Sequence, residues 1–129
     1  MIYRYGALLL AAAVIALCVQ PAPIQFEYHP IPFRLDSDET PIRHVPATMA
    51  GGVAVFDYNG DGRPDIFFTN GADIVTLHKN SPKYFNRLFR NDGNLRFTDV
   101  TKEAGLEGTG YDVGVAIAER VAGRRWKVH

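Results

Sequence analysis

Residues 51–69 read GGVAVFDYNGDGRPDIFFT and carry the strongest structural signal in the chain. Residues 52–56 and 66–69 are short runs rich in β-branched and aromatic side chains, which is typical of strands. The loop between them, residues 57–65, is dense in Asp, Asn and Gly, which tight turns favour. The stretch therefore predicts a β-hairpin whose connecting loop is rich in side-chain oxygens.

Side-chain oxygens recur at regular positions of this loop. They stand at its first, third, fifth and ninth residues, and a glycine stands at the sixth. Calcium takes about six to eight oxygen ligands, and a tight loop delivers them by pointing every second residue inward. The glycine permits a sharp reversal that a Cβ would resist. The predicted calcium ligands are the side chains of Asp57, Asn59, Asp61 and Asp65 and the backbone carbonyl of Arg63.

Other interpretations of the loop fit less well. An EF-hand needs a glutamate at the twelfth position between two helices, whereas Phe68 stands there in an apolar run. A plain Asn-Gly or Asp-Gly hairpin turn is the main alternative, but it needs only a residue or two of the pattern. Magnesium demands stricter octahedral geometry than such a loop offers. Calcium is therefore the predicted cofactor.

The chain after the loop continues with β patterns. Residues 87–90 and 95–100 alternate in polarity, and residues 91–94, Asn-Asp-Gly-Asn, supply hairpin turn chemistry. Residues 101–104 predict one helical turn that Gly105 ends. No helical periodicity is sustained after the amino-terminal segment, so the sequence predicts an all-β fold.

A partial repeat suggests how these strands are organised. GVAV at residues 52–55 returns as GVAI at residues 114–117. Four strands followed by a copy of the first are the pattern of a β-propeller blade that leads into the next blade. The sequence therefore predicts one four-stranded blade at residues 48–110 and the first strand of a second blade within residues 111–129.

The amino-terminal segment has a different composition. Arg4 is the only charged residue before an apolar run at residues 7–19, which ends in Gln-Pro-Ala-Pro. A membrane span needs about 20 apolar residues, so this run is short for an anchor and matches the core of a signal peptide. A buried helix of the folded domain is the alternative. Residues 1–23 are predicted to be a signal peptide, which implies an extracytoplasmic protein with no stable membrane span after processing.

Cys18 is the only cysteine, so cleavage would leave a chain without disulfides or a cysteine nucleophile. Lipid attachment at Cys18 is a weaker alternative, because the residue before it is bulky. A bound divalent cation could stabilise such a domain in place of a disulfide.

Residues 24–47 are rich in proline and predict an extended lead-in segment, in which Ile31, Phe33 and Leu35 can pair as an edge strand.

These motifs, in this order, resemble the FG-GAP/VCBS repeat, and most of all the bacterial branch related to cartilage acidic protein and often found with an ASPIC/UnbV domain. They are GGVAVFD at 51–57, the acidic loop, DIFF at 65–68, NRLFRN at 86–91 and FTDVT at 97–101. The resemblance covers roughly residues 43–118. It implies integrin-α-like propeller blades with calcium in the first hairpin loop. It also implies an extracytoplasmic role in binding or adhesion to a protein or glycan, with no enzymatic activity.

The end of the chain departs from this family pattern. A second blade would continue into another acidic loop, whereas residues 119–129 hold one acidic and four Arg or Lys residues. A basic contact patch is one interpretation of this tail, and an interrupted reading frame that leaves a fragment is the preferred one. In either case the resemblance implies that further blades are needed for a complete propeller.

The overall composition limits the possible partners and activities. Hydrophobic residues make up 47% of the chain, and the formal net charge is zero, so there is no basic footprint for nucleic acid. No serine lies in a Gly-x-Ser-x-Gly motif, and the four histidines lack the spacing of a zinc site. The acidic loop could supply paired carboxylates to a small hydrolase, but a metal would occupy them. The sequence predicts a binding protein and no enzyme.

Overall fold

A computed structural model describes residues 23–119 and 126–128. These residues form the strands β1 (Gly52–Phe56), β2 (Asp65–Thr69), β3 (Arg87–Gly93), β4 (Arg96–Asp99), β5 (Ile117–Glu119) and β6 (Trp126–Val128), the short helix α1 (Thr101–Ala104), and 3₁₀ turns at Pro46–Thr48 and Pro82–Tyr84. The predicted all-β architecture is confirmed.

Within the described ranges, no helix is long and apolar enough to cross a membrane. The predicted signal peptide, apart from its last residue, lies outside the described residues.

Strands β1 to β4 form one antiparallel sheet in chain order. The register places Val53 opposite Phe68 and Ala54 opposite Phe67. Because successive side chains of a strand point to opposite faces, the first pair lies on one face and the second pair on the other. The hairpin of β1 and β2 was predicted close to its observed bounds. The turn predicted at residues 91–94 is displaced, because β3 continues through Gly93 and the chain turns at Asn94 and Leu95. That the sheet is a propeller blade stays a prediction.

The hydrophobic core lies on the face that holds Phe67. Its buried members are Phe56, Phe67, Leu88 and Val100, and burial of each large side chain contributes about 1.5–3 kcal/mol. Partly buried side chains pack over them: Ala54, Tyr58, Ala104, Leu106, Val115 and Ile117. Helix α1 thus helps to close this face. It ends at Gly105, as predicted, in the left-handed conformation that favours glycine.

The opposite face of the sheet is covered only in part. The Phe33 ring of the lead-in stacks on the Phe68 ring with 4.4 Å between their centroids. Phe68 meets Phe89 edge-on at 6.0 Å. Beside this aromatic cluster, Val53 and Val55 of β1 stay 59% and 62% exposed. This part of β1 is therefore an uncovered apolar strip.

The described part of the lead-in contains no strand, so the predicted pairing of Ile31, Phe33 and Leu35 as an edge strand is wrong. The Phe33 N–H donates to the Ile31 carbonyl at 2.7 Å, which closes a local turn. Pro30 and Pro32 have no N–H to offer a sheet partner. Proline chemistry therefore favours a turn that brings Phe33 onto the sheet face.

The side chain of Asn70 fastens the lead-in to the end of β2. Asn70 is only 1% exposed, and its Oδ1 accepts the Asp36 N–H at 2.7 Å. Its Nδ2 donates to the carbonyls of Arg34 and Lys83 at 3.3 and 3.1 Å. The Asn70 side chain uses both its oxygen and its nitrogen in hydrogen bonds. Removing it would leave buried polar groups unpaired, which costs free energy.

Two more contacts hold the lead-in near residue 38. The Tyr111 hydroxyl donates to the Ser37 carbonyl at 3.0 Å, and the Asp38 carboxylate accepts the Ile74 N–H at 3.0 Å. A hydrogen bond with Tyr84, and after it the Ile74 N–H, lowers the pKa of Asp38. The lead-in is thus packed on the sheet by aromatic stacking and by long-range hydrogen bonds.

Strands β5 and β6 form a separate two-stranded sheet, with Ile117 opposite Val128. The repeat predicted a strand at residues 114–117, but the observed strand begins only at Ile117. The chain at Gly114 passes against β1 instead, so close that a Cβ on Gly52 would lie 3.0 Å from the Gly114 Cα. Of the tail, residues 126–128 form β6, and residues 120–125 and 129 lie outside the described residues.

Candidate metal centre

The predicted calcium loop connects β1 to β2 and is shaped by its first aspartate. Asp57 Oδ1 accepts the N–H groups of Gly60 and Asp61 at 2.7 and 3.0 Å, and Oδ2 accepts the Gly62 N–H at 2.8 Å. Gly60 and Gly62 have φ angles of +78° and +83°, which residues with a Cβ rarely adopt. The loop backbone therefore wraps around the Asp57 carboxylate.

The Asp61 carboxylate is held by its neighbours within the loop. Oδ1 accepts the Arg63 N–H at 2.9 Å, and Oδ2 accepts an Asn59 Nδ2 hydrogen at 2.7 Å and contacts the Arg63 guanidinium. The Asn59 hydrogen bond, and after it the N–H and charge of Arg63, lower the pKa of Asp61. Asp61 is therefore ionised at neutral pH, as a calcium ligand must be.

Asp65, the last predicted ligand, is fully buried. Its Oδ2 accepts the Tyr58 N–H at 2.8 Å, and its Oδ1 accepts the Asn91 N–H at 2.7 Å. Backbone donors on both oxygens compensate for the loss of water around a buried carboxylate. Asp65 therefore joins the loop to β3 in this conformation.

The partly exposed side chain of Arg63 connects the loop to β3. Its Nε donates to the Asn91 carbonyl at 2.7 Å, while its guanidinium contacts Asp61. Asn91 Nδ2 returns a hydrogen bond to the Pro64 carbonyl at 3.1 Å. The sequence prediction gave Arg63 a role through its carbonyl only, whereas the structure also places its cationic side chain among the predicted ligands.

The structure does not bring the predicted ligands together into a closed metal cluster. Within residues 23–119 and 126–128, no three His, Cys, Asp or Glu side chains form a group that could hold a metal ion. The donor chemistry still suits calcium, because an ionised carboxylate offers about four lone-pair sites. Asp57 uses three of them on loop amides, and Asp65 uses two. Each carboxylate thus keeps capacity for a hard cation, provided that the side chains turn toward it.

A buried lysine that the sequence did not single out organises the opposite end of the sheet. The side chain of Lys79 is fully buried, 3.3 Å from Asp112. Its Nζ donates to the carbonyls of Asn70, Gly71 and Tyr84 at 2.7, 2.6 and 2.9 Å. Burial lowers the pKa of Lys79, and the charge of Asp112 opposes this shift. Its sequence neighbours are polar and gave no signal of burial.

A groove of about 390 Å³ separates the lead-in from the turn before β3. Its walls are formed by Pro32, Phe33, Arg34, Asp36, Asn70, Pro82, Lys83 and Arg87. Lys83 is shared between Asp36 and Asp38 at 3.8 and 3.4 Å. The groove is therefore lined by both apolar and charged side chains, and Lys83 and Arg87 among the charged ones are paired with carboxylates.

No protein-family model, curated protein or solved structure matches this chain. The resemblance to FG-GAP/VCBS repeats consequently rests on the order and spacing of the motifs themselves. The structure shows four antiparallel strands with the acidic loop between β1 and β2.

Proposed function

We propose that this chain is a calcium-binding, extracytoplasmic segment of a β-propeller of the FG-GAP/VCBS type, and that it acts in binding or adhesion. The observation that carries the proposal is the position of the acidic loop. It closes the hairpin between β1 and β2, where the family resemblance expects calcium. Its side-chain oxygens keep the alternating spacing that a calcium loop needs.

Calcium would be held by the loop's own oxygens. Asp57, Asn59 and Asp61 would contribute side chains, Arg63 its backbone carbonyl, and Asp65 a further carboxylate. The ion would supply positive charge to three carboxylates that are close in sequence and repel one another when ionised. Asp57 and Asp65 orient the loop backbone through their amide contacts, so the same residues would shape the loop and bind the ion.

The first test of this proposal is calcium titration calorimetry of the full-length chain. We expect a dissociation constant of about 10⁻⁴–10⁻³ M, the range of extracellular modules. Asp61→Ala should weaken binding at least about tenfold, because it deletes a central charged ligand. Asp73→Ala is the matched control, since Asp73 caps an unrelated exposed turn through the N–H groups of Val75 and Thr76. Absence of calcium-dependent heat in the unsubstituted chain would contradict the proposal.

Export is proposed from the amino-terminal sequence and has its own test. A reporter enzyme fused after residue 47 should be found outside the cytoplasm. Leu9→Arg should retain it in the cytoplasm, because a charge interrupts the apolar core that a signal peptide needs. Ile24→Arg, just beyond the predicted peptide, serves as the control and should leave export unchanged. A cytoplasmic location of the unsubstituted fusion would refute the assignment.

The binding partner is proposed to be a protein or a glycan. Val53 and Val55 on the uncovered strip of β1 would pack against a further blade. A hydrolase that uses the acidic loop is less favoured, because backbone N–H groups already occupy both carboxylate oxygens of Asp57 and of Asp65.

A further inference from the structure

The further inference concerns the Arg63 side chain and rests on the proposed calcium site. A loop with several carboxylates needs positive charge even when no metal is bound, because like charges at short range raise its free energy. Arg63 supplies that charge. Its guanidinium contacts Asp61 Oδ2 and its Nε donates to the Asn91 carbonyl, so the side chain spans from the loop to β3.

Arg90 is a second cation near the loop, and its charge also acts on Asp61 and Asp65, but its hydrogen-bond partner is a different carboxylate. Arg90 Nε donates to Asp92 Oδ1 at 2.8 Å, and the Thr98 hydroxyl also donates to Asp92. Arg90 thus pairs with a carboxylate outside the predicted ligand set. Arg63 is different, because the carboxylate that it contacts is a central predicted ligand.

Asp61 Oδ2 has no lone-pair site left while the Arg63 guanidinium is in place. Oδ2 already accepts the Asn59 amide and the guanidinium, and Oδ1 accepts the Arg63 N–H. A calcium ion that binds Asp61 would meet the guanidinium at the same oxygen, and the two positive charges would repel. The two cations therefore compete for Asp61.

We propose that Arg63 is a built-in counter-cation: its side chain neutralises and orders the metal-free loop, and calcium must displace it from Asp61 in order to bind. Arg63 thereby lowers the calcium affinity and makes the metal-free loop more stable. Its backbone carbonyl is unaffected by a side-chain substitution. Removing the guanidinium therefore deletes a competitor without deleting a proposed ligand.

Arg63→Gln tests this inference in the full-length chain. Calorimetric titration with calcium chloride at fixed ionic strength should give about three- to tenfold tighter binding than in the unsubstituted chain, because the competing charge is gone. Arg63→Lys keeps a positive charge and should bind with nearly unchanged affinity. Arg87→Gln is the matched control for general charge removal, because Arg87 lies at the far end of β3 and pairs with Asp99. It should change the affinity less than about twofold.

Thermal unfolding supplies a readout that does not depend on affinity. In a chelating buffer, Arg63→Gln should melt below the unsubstituted chain by a few degrees, and saturating calcium should remove that difference, because calcium then replaces the guanidinium. Unchanged or weaker calcium binding by Arg63→Gln, with normal binding by the unsubstituted chain, would overturn this inference alone. No binding by the unsubstituted chain would instead refute the calcium site itself.

Discussion

Replacing Lys79 with methionine is expected to lower the free energy of unfolding by about 2–4 kcal/mol, because it removes a buried charged hydrogen-bond donor from three carbonyls. The substitution keeps most of the side-chain volume but removes the ammonium. The carbonyls of Asn70, Gly71 and Tyr84 then lose a buried charged donor. Asp112, which is one-third exposed, loses its cation but keeps the hydrogen bond from Asn86 Nδ2. Urea unfolding of the full-length chain, followed by circular dichroism, measures the loss.

Lys102→Met is the matched control for this substitution. Lys102 is exposed on α1, so the same chemical change should alter the free energy of unfolding by less than about 0.5 kcal/mol. Most small domains have only about 5–15 kcal/mol of stability, so the Lys79 variant should be marginal or unfolded. Equal effects at the two lysines would show that Lys79 does not organise the sheet end as described.

Asn70→Ala is expected to cost about 3–4 kcal/mol, because it unpairs several buried groups at once. The Asp36 N–H loses its acceptor, and the carbonyls of Arg34, Lys83 and Phe85 lose a shared donor. These groups belong to the lead-in and to the turn before β3. The variant should therefore release the lead-in as well as destabilise the sheet, and protease cleavage within residues 24–47 should accelerate.

Asn80→Ala is the control for the Asn70 substitution. Asn80 is exposed, and its loss should cost less than about 0.5 kcal/mol. Its lead-in should stay as resistant to protease as that of the unsubstituted chain. Unaltered cleavage in the Asn70 variant would mean that aromatic stacking alone holds the lead-in.

Local signals were sufficient to predict most of the sheet. Strands β1 and β2 were predicted because β-branched and aromatic residues are concentrated in short runs there. Strands β3 and β4 were predicted because polar and apolar residues alternate, as they do in a sheet with two different faces. The end of α1 was predicted because Gly105 adopts a left-handed conformation that few other residues tolerate. Each of these features depends on residues that are adjacent in the sequence.

Features that depend on distant residues were not predictable in this way. The burial of Lys79 is decided by Asp112 and by carbonyls in other segments. The lead-in was expected to pair as a strand because its apolar residues alternate. It forms a turn instead, since the stacking of Phe33 on Phe68 depends on a sheet that local pattern does not describe.

The candidate metal site also combines features set by neighbouring residues with features set by distant ones. The donor types and their spacing are local, so the sequence was enough to propose calcium and to name the ligands. The present partners of those ligands are not local, because Asp65 and Arg63 both bond to Asn91 on β3. The competition that we infer between Arg63 and calcium could therefore emerge only from the folded chain.

The docking of the lead-in also sets an order of events during synthesis. The hydrogen bond between Tyr111 and Ser37 joins residues that are 74 positions apart. The Asp36 N–H likewise cannot form its hydrogen bond before Asn70 has been synthesised. A chain that emerges from its amino terminus delivers the lead-in long before these partners exist. Phe33 therefore stays exposed to solvent at least until its stacking partner Phe68 has been synthesised, and contacts between distant residues then form slowly. The nascent chain is then most open to aggregation, and a chaperone would have the greatest effect at that stage.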